Sequence, residues 1–252
     1  MRPTALLAGF VLAIGQFAGG PAQADHLAQS TLEARTIIAV AMPAEAIAAL
    51  LPAGWRSVPF ETGPGKGANL NATLYDQLSV VGPDGKPEER SQVLALSAPV
   101  MRPDGKVVSM VVGGFVPPAG VPGAYSVQQP AAITMTKQAR SLPAGDAQVE
   151  ESWDFAGTGD TRLHIALTYA RGNATPAHAE VLNYSAAKPD FYRIYKIDQA
   201  VDVLRSGPAG IDRVSTLTIA ASGAIAAILG QQSTVIAVIS APYYHRDIWL
   251  PD

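Results

Sequence analysis

Short blocks of β-branched and apolar residues, many alternating with polar ones, fill most of the chain, and turn-forming residues separate them. Residues 35–42 (RTIIAVAM) read as a buried strand. Pro43 then sits at a helix start, with Glu45, Ile47, Leu50 and Leu51 at helical spacing until Pro52 and Gly54. Residues 69–81, 92–100 and 106–116 read as strands of a meander, with turn signals at Pro83-Asp84-Gly85 and Pro103-Asp104-Gly105. Gly113-Gly114 inside the last of these predicts a bulge or a close backbone approach. Residues 117–123 (PPAGVPG) read as a crossing loop. Residues 131–140, 148–155, 162–171, 180–185, 214–221 and 234–240 continue the strand pattern. Residues 191–205 carry Ile194, Ile197, Val201 and Leu204 near a 3.6 period, which predicts a partly helical segment. Many strands and few helices predict a mainly β (α+β) fold, a barrel or stacked sheets.

The first 24 residues have a different pattern. Arg2 precedes an apolar stretch over 6–17, glycines and Pro21 break it, and Ala22-Gln23-Ala24 is a small-x-small cleavage site. The expectation is a secretory signal over 1–24 and a single domain over 25–252, periplasmic or secreted. No later segment has 18 uninterrupted apolar residues, so no stable membrane span is expected after cleavage.

Composition narrows the chemistry. The 252 residues are 48% hydrophobic and 15% charged, which excludes a disordered chain. The net charge of −3 comes without a basic cluster, so nucleic acid is not an expected partner. There is no cysteine, which removes disulfides, thiolate metal sites and cysteine nucleophiles. The four histidines are far apart and form neither HxxxH nor HExxH, and no metal or cofactor is expected. The glycine loop 63–67 (GPGKG) precedes a strand rather than a helix and reads as a plain turn. No GxSxG elbow is present.

Two clusters carry candidate chemistry. On a strand, Glu151, Trp153 and Phe155 share one face while Glu150 and Asp154 share the other. An acid beside a tryptophan fits a pocket wall as well as a solvated strand face. Near the C-terminus, Tyr244, Arg246 and Ile248 face one way and Tyr243, His245 and Asp247 the other. A tyrosine and an arginine on one inward face are suited to gripping a carboxylate or carbonyl, because arginine presents a two-pronged donor set.

The ordered phrases Leu51-Pro52-Ala53-Gly54-Trp55, residues 92–100 (QVLALSAPV), Val121-Pro122-Gly123-Ala124-Tyr125 and residues 239–251 (ISAPYYHRDIWLP) resemble the acetoacetate decarboxylase family from about residue 34 to the end. The resemblance implies a closed β-barrel wrapped by a larger antiparallel sheet, and it allows a homo-oligomer. It also implies a lysine that forms a Schiff base with a β-keto acid. Here the matching position is Ala131, and the family's glutamate position is Gln92. The family's imine chemistry is therefore not expected. Lys137 and Lys196 are the candidates for a displaced lysine.

Two functional readings follow. In the first, an exported barrel binds a small carboxylate, ketone or apolar ligand in its cavity, with Gln92, Ala131, Trp153 and Tyr244 as ligand-binding residues. In the second, a lyase, isomerase or hydrolase acts on a small carbonyl compound by acid–base chemistry, with Glu151, His245 and Arg246 as catalytic residues. A small molecule is the expected partner in both.

Overall fold

Alternation of apolar and polar side chains over long runs produces long strands, several of which carry apolar residues on both faces because both are covered. The computed structural model describes residues 25–141 and 147–251; the expected signal segment 1–24 lies outside the described residues. In chain order the strands are β1 (His26–Ala41), β2 (Arg56–Ser57), β3 (Leu70–Val81), β4 (Gln92–Met101), β5 (Val107–Val116), β6 (Gln129–Pro130), β7 (Ala132–Ser141), β8 (Ala147–Ala156), β9 (Arg162–Ala170), β10 (Thr175–Ser185), β11 (Tyr192–Ser206), β12 (Ile211–Asp212), β13 (Val214–Ser222) and β14 (Thr234–Leu250). Two short helices, α1 (Ala44–Ala48) and α2 (Ala226–Leu229), complete the regular structure with single 3-10 turns.

Seven strands close on themselves. The order β4-β3-β1-β14-β11-β10-β5 returns to β4 through the β4–β5 pairing, so this ring has no free edge. A second, antiparallel sheet of order β13-β9-β8-β7 packs on one side of the ring. The expected wrapping sheet is thus the smaller of the two: ring strands of up to 17 residues use most of the chain, and four strands remain for the cover.

Alternation along β1 sorts its side chains. Ile38 and Val40 belong to the apolar core shared with Trp153, Phe155, Leu163 and Ile165 of the second sheet. Residues of opposite parity, Thr31, Glu33 and Arg35, are also buried, on the ring's inner face. Burial is the dominant stabilising term here: at roughly 25 cal/mol per Å² of apolar surface, each fully buried leucine or isoleucine contributes about 1.5–3 kcal/mol.

Local expectations meet mixed outcomes. The strands, the turns at 82–85 and 102–105, and the plain turn at 63–67 form as predicted, the turns closed by Gly85 N to Gly82 O, Gly105 N to Arg102 O and Lys66 N to Gly63 O. The Gly113-Gly114 pair does both things expected of it. The β4–β5 register shifts beside it, between Val111 and Gly113, and a Cβ on Gly114 would stand 1.9 Å from Leu94 O. The segment 191–205, expected to be partly helical, is instead strand β11. Its register against β14 shifts between Ala200 and Asp202 and again between Val203 and Arg205. Each shift changes the phase of alternation, and a strand with such irregularities imitates a helical spacing.

Candidate functional site

β1 carries Thr31, Glu33 and Arg35 at period two, ahead of the apolar run 37–41. Closure of the ring turns all three inward, away from water. β14 pairs with β1 and brings Arg246 opposite Thr31 and Tyr244 opposite Glu33. A buried carboxylate demands partners, and Glu33 has them on both oxygens. Oε1 accepts from Thr31 Oγ1 at 2.8 Å and from Arg246 Nη2 at 2.9 Å. Oε2 accepts from Arg35 Nε at 2.6 Å, with Arg35 Nη2 at 2.5 Å. Burial pushes the Glu33 carboxyl upward, but the Arg246 and Arg35 guanidiniums, with the Thr31 and Arg35 hydrogen bonds, bring it below the usual carboxylate range. It is a fixed counter-ion, and a weak base.

Aromatic rings line the two guanidiniums. Arg35 lies 3.4 Å above the Tyr244 ring and 4.9 Å from that of Tyr75. Arg246 stacks on Tyr195 at 4.5 Å and on Tyr75 at 5.6 Å. These faces supply cation–π attraction in a desolvated setting. The Tyr125 hydroxyl donates to the Tyr195 hydroxyl, and Ser185 Oγ donates to Tyr125 O at 2.5 Å. Burial raises the Tyr75 hydroxyl to about 12, and burial together with Tyr195 raises that of Tyr125 well above its ordinary value. Both are neutral phenols at physiological pH.

This network floors a cavity of about 280 Å³, bounded by Tyr75, Tyr195 and Arg246, by Arg193, and by the loop after β5 with Tyr125 and Gln128. Two groups here lack protein partners among the described residues. Gln128 is 5% exposed, and its Oε1 is buried without a hydrogen bond. Arg193 has a buried Nε without an acceptor and no ion pair; its guanidinium lies 5.8 Å from the Tyr125 ring. A larger hollow of about 400 Å³ lies on the outer face of the second sheet, where His164 Nδ1 is 2.7 Å from Asp154 Oδ1. That pair is exposed, and no buried unpartnered polar group faces it.

The sequence-derived residues divide between two faces. Tyr244, Arg246 and Ile248 face inward as expected; Arg246 lines the cavity and Tyr244 underlies Arg35. His245 is on the outer face, half-exposed, with Nε2 3.8 Å from Asp247 Oδ1. Glu151 and Trp153 share one buried face as predicted, but it is the face between the sheets. There Glu151 Oε1 accepts from Thr36 Oγ1 at 2.8 Å and from Trp153 Nε1 at 2.7 Å, and Oε2 pairs with Lys137 Nζ at 2.8 Å. Gln92 and Ala131, placed in one cavity by the resemblance, do not line it. Gln92 shares a strand face with Leu94 and Leu96, which pack into the inter-sheet core, and its Nε2 donates to Asp76 Oδ1 at 2.7 Å. Ala131 follows β6 out of the ring and is buried in that same core.

Neither candidate lysine reaches the cavity. Burial presses the Lys137 amine down, but Glu151 and Tyr169 raise it above its ordinary value, so it is an ammonium and no nucleophile. Lys196 is exposed, with Nζ 4.4 Å from the Trp249 ring. Among the described residues no group of three or more His, Asp or Glu is placed to hold a metal ion. Glu33, Arg35, Tyr75, Arg193 and Tyr195 were not singled out from the sequence. The signal that was available is the alternation Thr31-x-Glu33-x-Arg35 leading into an apolar strand.

No family model matches the sequence, and no curated protein matches it. Solved structures do resemble the fold. An acetoacetate decarboxylase-like enzyme from Sphingomonas wittichii RW1 superimposes with TM-score 0.52 at 14% identity, over 91% of this chain and 92% of that one. The enduracididine biosynthesis enzyme MppR, complexed with the condensation product of pyruvate and imidazole 4-carboxaldehyde, gives TM-score 0.52 at 10% identity, over 98% and 96%. Acetoacetate decarboxylase from Legionella pneumophila subsp. pneumophila str. Philadelphia 1 gives TM-score 0.50 at 11% identity, over 99% and 96%. The seven-stranded ring with its cavity and covering sheet is therefore the acetoacetate decarboxylase-like fold, and this chain carries it.

Proposed function

We propose that this domain binds a small carboxylate in the ring cavity, without imine-forming decarboxylation. The observation that carries the reading is Arg193: a guanidinium on the cavity wall with a buried Nε and no counter-ion. A buried donor left without an acceptor costs on the order of 1–3 kcal/mol, more when it belongs to a charged group. A bound carboxylate removes that cost with a charge-assisted pair. The Tyr195 hydroxyl, which accepts from Tyr125, keeps its own hydrogen for an oxygen of the ligand.

Two features favour binding over turnover. None of the chain's six lysines (66, 86, 106, 137, 188 and 196) lines the cavity, so no amine is available for an imine. The buried carboxylate beside the cavity, Glu33, is occupied on both oxygens and held ionised, which makes it a poor proton acceptor and no proton donor. The other lining carboxylate, Glu89, is exposed at the mouth, so the buried wall holds no free base.

Export is part of the same proposal, with residues 1–24 as a segment removed on secretion. Intact mass of protein recovered from an expressing bacterium tests it: loss of 1–24 is expected, and retention of Met1 in the exported fraction argues against it. The test of ligand class is a thermal-shift screen of the 25–252 protein with short carboxylates, ketones and alkanes. A ligand of the native state raises Tm. Carboxylates alone are expected to do so; a response to ketones or alkanes only overturns the reading.

A further inference from the structure

The inner face carries three guanidiniums, Arg35, Arg193 and Arg246, against one buried carboxylate, Glu33. The remaining charges at the cavity, Glu89 and Arg90 at its mouth, are exposed and of opposite sign. The other acidic residues of the ring strands are accounted for elsewhere: Asp76 takes Gln92, Asp198 lies beside His178, Asp202 pairs with Arg213, Glu180 is exposed, and Asp247 lies on the outer face of β14. The inner face therefore carries a net charge of +2: Arg35 and Arg246 share the single carboxylate of Glu33, and Arg193 has no ion pair among the described residues.

We infer that the ligand is a small dicarboxylate, one end on Arg193 and the other toward Arg246. This rests on the carboxylate-binding reading and narrows it. Uncompensated charge in a low-dielectric interior is costly, and a dianion matches the excess. Geometry agrees with charge. Arg246 pairs across the β11–β14 ladder with Ile197, four residues from Arg193 on the same strand face. At about 3.3 Å per residue their Cα atoms are about 13 Å apart along the strand. Two long side chains reaching inward from that separation leave room for two carboxylates joined by a short carbon chain. The cavity's volume of about 280 Å³ is on the scale of a small molecule.

The Arg246 guanidinium is engaged by Thr31 and Glu33 through Nε and Nη2, which leaves Nη1 uncommitted. Between the two ends, the amide of Gln128 and the Tyr195 hydroxyl offer neutral donors to an oxygen on the linking chain. Gln128 is buried, and its Oε1 has no hydrogen-bond partner among the described residues.

Isothermal titration of the 25–252 protein with matched pairs tests the inference: succinate against butyrate, and glutarate against pentanoate. Each pair differs by one carboxylate at equal chain length. The dicarboxylate of a pair is expected to bind about tenfold tighter or more at low salt, one order of magnitude being 1.4 kcal/mol. Arg193→Gln is expected to reduce that ratio to about one, with a far-UV spectrum and Tm close to those of the parent. Equal affinity within each pair overturns the dianion inference and leaves the carboxylate reading standing. Absence of binding by all four acids, while ketones or alkanes bind, overturns both.

Discussion

Arg246 Nη2 lies 2.9 Å from Glu33 Oε1, across paired strands β1 and β14 and wholly inside the ring. Arg35 approaches the same carboxylate from its own strand, so one anion holds two cations at the bottom of the cavity. The arrangement is a structural element first. Removing Glu33 leaves two buried guanidiniums facing each other.

Glu33→Gln is therefore expected to destabilise the domain by about 3–5 kcal/mol, the range for breaking a buried ion pair by removing one partner. Urea unfolding of parent and variant measures this. A loss under about 1 kcal/mol would show that water reaches the site.

Glu33 also sets an acid limit. Its folded pKa lies below the ordinary 4.5. A depressed carboxylate contributes stability that is complete above its unfolded pKa and lost as pH falls through the folded one. The stability gap between parent and Glu33→Gln is thus expected to hold from pH 7 to about pH 5 and to shrink at lower pH. Unfolding midpoints at stepped pH check the sign; a gap that widens on acidification contradicts it.

Lys137 and Glu151 pair across β7 and β8 of the covering sheet, and Glu151 ties that sheet to the ring through Thr36 of β1. Lys137→Met leaves Glu151 with Thr36 and Trp153 but no counter-ion, and is expected to cost about 1–3 kcal/mol. The folded Lys137 pKa is raised, so its contribution is complete below the ordinary 10.5 and lost as pH climbs through the folded value. Carboxylate affinity should be unchanged in this variant, since the pair lies between the sheets. Titration of the variant with succinate checks this, and a tenfold loss would move the site to that interface.

Gly123 holds the loop against Gln128. Its φ is +71°, and a Cβ there would stand 1.8 Å from Gln128 Oε1. Gly123→Ala combines left-handed strain of about 1–2 kcal/mol with displacement of the Gln128 amide. Both a lower Tm and weaker carboxylate binding are expected. Gln128→Ala separates the effects: binding should fall with little change in Tm.

Borohydride trapping with a β-keto acid is expected to leave the mass of the protein unchanged. A reduced adduct on Lys137 would show that the amine sheds its proton despite Glu151.

Much of the strand pattern was readable from period-two alternation, and so was the inward facing of Tyr244, Arg246 and Ile248. Alternation also predicted that Glu151 and Trp153 share a face. It does not say which side of a closed ring that face meets, and here it meets the second sheet. The β-branched, apolar run marks a strand over 35–42, whereas β1 starts at His26. Buried charge is invisible to a hydropathy pattern: Glu33 and Arg35 look like surface residues until β14 supplies Arg246, more than two hundred residues away. Arg193 and Tyr195 are masked because β11 is buried on both faces there, so Ile194 and Ile197 give a helix-like spacing on a regular strand.

The central claim is that Arg193 is an anion site inside the ring. Calorimetric titration of the parent domain and of Arg193→Gln with one short carboxylate, succinate, at low and at high salt tests it most directly. The account predicts measurable binding by the parent that weakens with salt, and at least about tenfold weaker binding by the variant at low salt. Equal affinities for parent and variant would contradict it.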